Sequence, residues 1–270
     1  MIQSGGKSLE NNSAWDVVKI ARDPRRLSCM DYIENIFTDF IELHGDRLYG
    51  DDPAVVTGFA YFEDFPVMVL AQNRGRGGED SRRCNYGMAR PEGNRKARRA
   101  AKLAKKWNIP IISFVDTPGA DANVESEYRG QASSIANNLL ELLDIKVAMI
   151  SILIGQGGSG GALALAVSDQ LFMLKNATYS ILSPEGLATI LYRNVSKAQE
   201  AAESMRLTAE NLVKLNIIEG IIDEAPEGNW TDPERTYRSM REKLRKALIE
   251  DQQLSSDELV KLRKYKFRNI

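Results

Sequence analysis

The sequence predicts an α/β protein built on a largely parallel sheet, and three observations lead there. Short runs rich in β-formers alternate with helix-length amphipathic segments. Glycine-rich stretches sit where a strand gives way to a helix, at Gly119-Ala120 and at Gly155 to Gly161. No Pro/Gly/Ser-rich linker, low-complexity tract or short-period repeat divides the 270 residues, 43% of them hydrophobic, so a single large core can form. One domain over residues 14–270 is expected, preceded by a flexible polar stretch 1–13, with its core at about 50–225 and helices over 226–270.

In chain order, "AWDVVKIAR" and "DYIENIFTDFIELH" place apolar residues (Tyr32, Ile36, Phe37, Phe40, Ile41) at helical spacing and predict two leading helices. "AVVTGFAYF" and "PVMVLAQ", parted by "EDF", predict a β-hairpin. The loop "NRGRGGEDSRRCNYGMARPEG" then leads into a basic helix, "NRKARRAAKLAKKW". Strand "PIISFVD", a loop, a helix over 128–143, strand "KVAMISILI", a glycine loop and a helix follow. The remainder reads as strands "QLFML" and "TYSIL", helix "SPEGLATILY", helix "AENLVKLN", short strand "IIEGIID" and long charged helices.

Net charge is only −1, but residues 74–106 carry twelve Arg/Lys against Glu79, Asp80 and Glu92, a local +9 that leaves −10 elsewhere. This segment is either a solvated helix face or a surface for phosphate or an acidic partner. Without interleaved aromatics or a recognised module, nucleic acid is not the expected partner. Cys29 and Cys84 are far apart and form neither a disulfide framework nor a zinc site. No apolar run reaches signal-peptide or membrane-spanning length, and a cytoplasmic location is expected.

The stretch "IGQGGSGGALALAV" (154–167) matches two catalytic patterns at once. Gly155-x-Gly157-x-x-Gly160 fits the dinucleotide fingerprint, but the next strand ends in Met173-Leu174-Lys175-Asn176, with no acid for a ribose. Gly157-x-Ser159-x-Gly161 fits a nucleophile elbow, but the single histidine, His44, lies far upstream instead of following the serine. A Ser-Lys pair stays formally open; otherwise Ser159 is a small residue in a tight turn. "DTPG" at 116–119 lacks the P-loop that a GTPase needs. What survives is backbone: glycines at two strand ends let N–H groups approach a ligand, and a helix N-terminus adds partial positive charge. Such amides can stabilise an oxyanion without a resident acid–base pair.

In order along the chain, "ELHGDR", "PEGNRKARR", "FVDTPGA", "YRGQASSIANNL", "IGQGGSGGALALAV", "TYSILSPEG" and "LNIIEGIIDE" resemble the carboxyltransferase α subunit of bacterial acetyl-CoA carboxylase over roughly residues 14–225. The resemblance implies a crotonase-like superhelix of repeated β-β-α units with helical extensions. It implies a β subunit carrying a zinc ribbon and most of the CoA site, an α2β2-type assembly, and carboxybiotin delivered on a biotin carboxyl carrier protein. No metal is expected in this chain. As the resemblance implies, amides at Gly160 and Gly161 would hold an oxyanion as carboxyl passes from carboxybiotin to acetyl-CoA to give malonyl-CoA. Gly119 and Ala120 would form a second loop, and Gln156, Gly157, Gly158, Ser159 and Asp121 would line the carboxybiotin site. The cofactor brings its own base. Arg74, Arg76, Arg95 and Arg99 would be available to CoA or a partner.

The chain departs from the resembled pattern near the site. "GAYPG" is replaced by Gly119-Ala120-Asp121-Ala122-Asn123, "GEGGSGG" carries Gln156, and "HQKGR" becomes Gln72-Asn73-Arg74-Gly75-Arg76. The match begins at "AWD", so an N-terminal helical extension common in the family is expected to be missing. Other readings are a specialised paralogue for another acyl-CoA or a dedicated malonyl-CoA supply, a stand-alone crotonase-type hydratase or hydrolase, a serine peptidase, and a non-catalytic scaffold.

Overall fold

The computed structural model describes residues 12–269. Of the stretch expected to be flexible, residues 1–11 lie outside the described residues. Ser13 belongs to the ordered chain, because its hydroxyl accepts the Asp16 N–H at 3.2 Å and caps α1 (Ala14–Arg22). In α2 (Cys29–Ile36), Asp31 accepts the Ser28 N–H at 2.7 Å across the first turn.

The helix expected over "DYIENIFTDFIELH" stops at Ile36. Its second half is strand β1 (Thr38–Glu42), antiparallel to β2 (Val55–Phe62) at the edge of the sheet. The physical reason lies in the partner strand: a Cβ on Gly58 would come within 2.5 Å of the Phe40 ring and the Ile41 carbonyl. A bare position in β2 therefore admits a close edge strand, and pairing overrides helical spacing. The sheet accordingly begins at Thr38, ahead of the expected core boundary near residue 50. β2 and β3 (Phe65–Gln72) form the expected hairpin, in unbroken register from Val55↔Gln72 to Phe62↔Phe65.

The loop expected before the basic helix contains α3 (Gly78–Arg83) and a 3₁₀ turn at Asn85–Gly87. The helix itself, α4 (Pro91–Trp107), starts on proline and ends on left-handed Asn108. After β4 (Ile111–Thr117), α5 (Val124–Tyr128) forms largely within the expected loop, and left-handed Gly130 (φ +82°) delays the expected helix to α6 (Gln131–Asp144). Then come β5 (Met149–Gly158), α7 (Ser159–Ala166), β6 (Gln170–Leu174), β7 (Thr178–Ser180) and α8 (Pro184–Tyr192). α9 (Ala198–Met205) has no counterpart among the expected elements; α10 (Ala209–Lys214), β8 (Gly220–Ile222), α11 (Pro233–Asp251) and α12 (Ser256–Arg268) complete the described chain.

The strand order is β1-β2-β3-β4-β5-β6-β8, antiparallel through β3 and parallel beyond it. β4 is wholly buried and β5 is buried as far as Gly155, as expected of parallel strands covered on both faces. One departure from a plain sheet positions the site. β5 pairs with β6 over Ile150–Leu153, then with β7 over Gln156–Gly158. The strand thus runs past its first neighbour, carrying its glycines to the carboxyl edge where open α/β sheets place ligands.

Candidate active site

At the end of β4, the Thr117 hydroxyl accepts the Gly119 N–H at 3.1 Å and donates to the Gly119 carbonyl at 2.6 Å, closing a tight turn. Asp121 does not face outward from this turn. It is buried, and its carboxylate accepts from Asn85 Nδ2 at 3.0 Å, from the Asn123 amide and from the Ser126 hydroxyl. These bonds tie the loop to the 3₁₀ turn and to α5.

The expected glycine loop after β5 is not a loop. Gly155, Gly157 and Gly158 are the last residues of the strand, and Ser159, Gly160 and Gly161 form the first turn of α7. Three of the glycines are required by close approach. A Cβ on Gly155 would meet the Asp116 carboxylate at 2.3 Å, one on Gly158 the Pro118 carbonyl at 2.1 Å, and one on Gly161 the Ala120 nitrogen at 2.5 Å. At Gly158 and Gly161 the two strand ends therefore pack backbone on backbone, while Gly155 leaves room for the Asp116 carboxylate. Gly160 differs, since a Cβ there would meet nothing within 4 Å. No side chain caps α7, and the first amides of a helix have no partner four residues back. Gln72 Nε2 donates to the Gly161 carbonyl at 2.6 Å and fixes the turn from below.

Ser159 is exposed and holds φ +50°, the sharp strand-to-helix geometry of an elbow. Among the described residues, no His, Lys, Asp or Glu lines the two hollows that it borders. His44 lies beside Asp51 (3.2 Å) in a separate cavity of about 360 Å³ lined by Glu42, Asn73, Arg76 and Asp80.

Four residues given no site role from the sequence organise the junction. Asp116, 1% exposed, accepts the Gln156 N–H at 2.8 Å, and burial pushes its carboxyl upward against the opposing pull of Arg74 and that amide. Arg22 donates through Nε to Gln156 Oε1 at 3.1 Å and grips both Glu185 oxygens at 2.6 and 3.0 Å. Arg26 donates to the Ile154 carbonyl at 2.6 Å and pairs with buried Glu224 at 3.0 Å. The sequence marked Asp116 only as the first residue of "DTPG", with no role at the junction; Arg22, Glu185 and Arg26 left no local signal, because their partners are more than 120 positions away.

Three hollows meet at this edge. One of about 280 Å³ is lined by Arg22, Gln156, Gly157, Gly158, Ser159 and Thr178, and one of about 310 Å³ by Arg22, Arg74, Arg82, Tyr86 and Gln156. Arg22, Gln156 and Pro118 border both. A third, apolar and about 480 Å³, opens beyond Ser159 between Leu163, Tyr179 and Leu187.

The arginines read as contacts for CoA or a partner are each bonded within the chain, Arg76 at the exposed surface. Arg74 donates to the Ala21 and Asp23 carbonyls and caps the end of α1. Arg76 pairs with Asp31 (2.9 Å) and Glu34 (2.6 Å). Arg95 holds buried Asp46 at 2.7 Å, and Arg99 donates to the carbonyls of His44 and Gly45. Burial opposes ionisation of Asp46, yet the N–H groups of Leu48, Tyr49 and Gly50, with Arg95, bring its carboxyl down to about 2. Among the described residues no group of three or more His, Cys, Asp or Glu side chains is placed to hold a metal, and no helix is long and apolar enough to cross a membrane.

The fold is shared with carboxyl-handling enzymes. Transcarboxylase 12S, solved with methylmalonyl-CoA bound, superposes with TM-score 0.71 at 20% identity, covering 90% of this chain and 46% of that one. The geranyl-CoA carboxylase β subunit of P. aeruginosa gives 0.65 at 15% identity over 93% of this chain and 47% of its own length. A Pseudomonas malonate decarboxylase hetero-tetramer in complex with coenzyme A gives 0.66 at 16%, covering 80% of this chain and 86% of its own. This chain thus spans just under half of the two longer subunits. These likenesses show a shared fold. At the sequence level, the model of the acetyl co-enzyme A carboxylase carboxyltransferase-like family matches residues 3–270. Acetyl-coenzyme A carboxylase carboxyl transferase subunits alpha from Clostridium botulinum (47% identity over 98% of this chain and 96% of the relative) and Listeria monocytogenes (48% over 96% and 82%) are similar throughout. The chain belongs to this family, as its ordered motifs indicated.

Proposed function

We propose that this chain is the α half of a carboxyltransferase that moves the carboxyl group of carboxybiotin, carried on a biotin carboxyl carrier protein, to acetyl-CoA with a β subunit, in the bacterial cytoplasm. Membership of the family supports the reaction, and one observation supports the site. At a junction where Gly155, Gly158 and Gly161 are packed against the neighbouring strand end, Gly160 opens onto free space at a helix start without a side-chain cap.

The lining suits a biotin ring. Gln156, Thr178 and Ser180 offer polar edges in the 280 Å³ hollow, and Val18, Pro184 and Leu207 offer apolar faces. Carboxybiotin would supply both the group transferred and its own base. The chain would supply position and charge stabilisation. First-turn amides at Gly160 and Gly161 would face negative charge as it develops, with the helix N-terminus adding to their pull. Gly119 and Ala120 would support Gly161 through the backbone contact, and Gly157, Gly158 and Ser159 would shape the floor. Asp121 would hold the β4 turn, since its oxygens are already taken. A zinc-bearing β subunit would complete the CoA site, the two chains assembling as α2β2.

Mixing the purified chain with a cognate β subunit, a carboxybiotin donor and acetyl-CoA should yield malonyl-CoA; absence of product from a verified complex sinks the assignment. The positive φ of exposed Ser159 favours one second reading, a stand-alone hydrolase with a serine nucleophile. That reading requires thioester hydrolysis by the isolated chain, abolished in Ser159→Ala.

A further inference from the structure

We propose that Gln156 donates a hydrogen bond from its side chain to the reacting group, and that Arg22, braced by Glu185, is the positioning residue that turns the amide that way; the proposal rests on the carboxyl-transfer reading above. A glutamine side chain has an acceptor end and a donor end, and its neighbours decide which way it faces. Arginine can only donate. The Gln156 atom 3.1 Å from Arg22 Nε must therefore be the oxygen, because the flipped amide would set N–H against guanidinium N–H.

Arg22 cannot swing aside freely, since both Glu185 oxygens hold its fork at 2.6 and 3.0 Å. Nor can Gln156 withdraw, because its backbone N–H is bound to the buried Asp116 carboxylate at 2.8 Å. The Nε2 amide, with two N–H groups, is left without a protein partner among the described residues, on a side chain that borders both polar hollows. One of these hollows is floored by Gly157, Gly158 and Ser159. A side-chain donor thus joins the backbone amides where negative charge would build. A carboxylate at 156 would offer only acceptors and place a second anion on Arg22.

The test uses the complex with the β subunit, a carboxybiotin donor and acetyl-CoA, with assembly and melting temperature recorded for each variant. Gln156→Met, close in shape, should lower kcat about 10²-fold, the usual effect of removing one oxyanion donor, with the KM for acetyl-CoA unchanged. Arg22→Met releases the amide and should lower kcat about tenfold, near the value of one net hydrogen bond, and Arg22→Lys should recover part of that loss. A kcat in Gln156→Met within twofold of wild type overturns the donor role, as does a loss that follows loss of assembly. Failure of the wild-type complex to make malonyl-CoA overturns the carboxyl-transfer reading itself, which no variant result can do.

Discussion

Residues 74–106 and residues 154–161 invite opposite expectations, and the structure reverses both. The first segment carries a net +9 and looks made to bind anions. Part of that charge is nevertheless matched within the chain: Arg95 pairs with Asp46, Arg90 and Lys96 with the 51–52 acids, and Arg76, at the surface, with α2. The second segment carries no charge at all, yet it opens a helix start without a side-chain cap beside a polar hollow. Formal charge in a sequence measures what must be matched, and binding capacity depends on donors left over after folding.

Replacing Arg95 should break this contrast most forcefully. Arg95→Met leaves buried Asp46 unpaired and should cost about 3–5 kcal/mol in denaturant unfolding, with the KM for acetyl-CoA unchanged in complex that still assembles. A stable protein with a raised KM would instead mean that this arginine serves a ligand. Gly160→Val comes next, with kcat expected to fall about 10²–10³-fold while the melting temperature holds. Gly161→Ala should lose stability first, since its Cβ has no room.

The carboxylates extend the contrast to pH. Asp46 has matching donors and a carboxyl at about 2, so its stabilisation is present above the usual carboxylate range and fades as pH falls towards 2. Asp251 has the reverse sign. Burial, opposed by a Gln170 hydrogen bond but reinforced by nearby Asp169, lifts its carboxyl to about 7, and no cation pairs with it among the described residues. Stability tied to its protonated form is complete below 3.8 and lost as pH rises through about 7. Asp251→Asn should therefore gain on wild type by about 2 kcal/mol between pH 5 and pH 8, read as a widening difference in melting temperature. Equal shifts at both pH values would show that the group is not buried as an acid. Ser159→Ala should change turnover of the complex least, within about 0.5 kcal/mol or roughly twofold.

Much of the site was legible because glycine carries a steric message that needs no partner to be read. The glycine run marked a strand-to-helix junction where backbone N–H groups could approach a ligand, and the ordered motifs around it carried the family. Asp116, Arg22 and Glu185 were not legible, since their meaning lies in contacts between α1, β4, β5 and α8 that no local pattern encodes. The helix expected through Ile41 failed for the same reason. Spacing there suited a helix, and the bare position at Gly58, directly across from Glu42 in the neighbouring strand, made a paired strand better.

By itself the sequence determined the alternation of strands and helices, the hairpin, the parallel core and the backbone character of the junction, because local sterics and hydrophobic periodicity act over a few residues. Tertiary structure alone decided where β5 exchanges β6 for β7, which arginines remain free, and which way the Gln156 amide points. Those outcomes depend on long-range pairing of charges and donors, whose cost of burial is settled only when every element is in place.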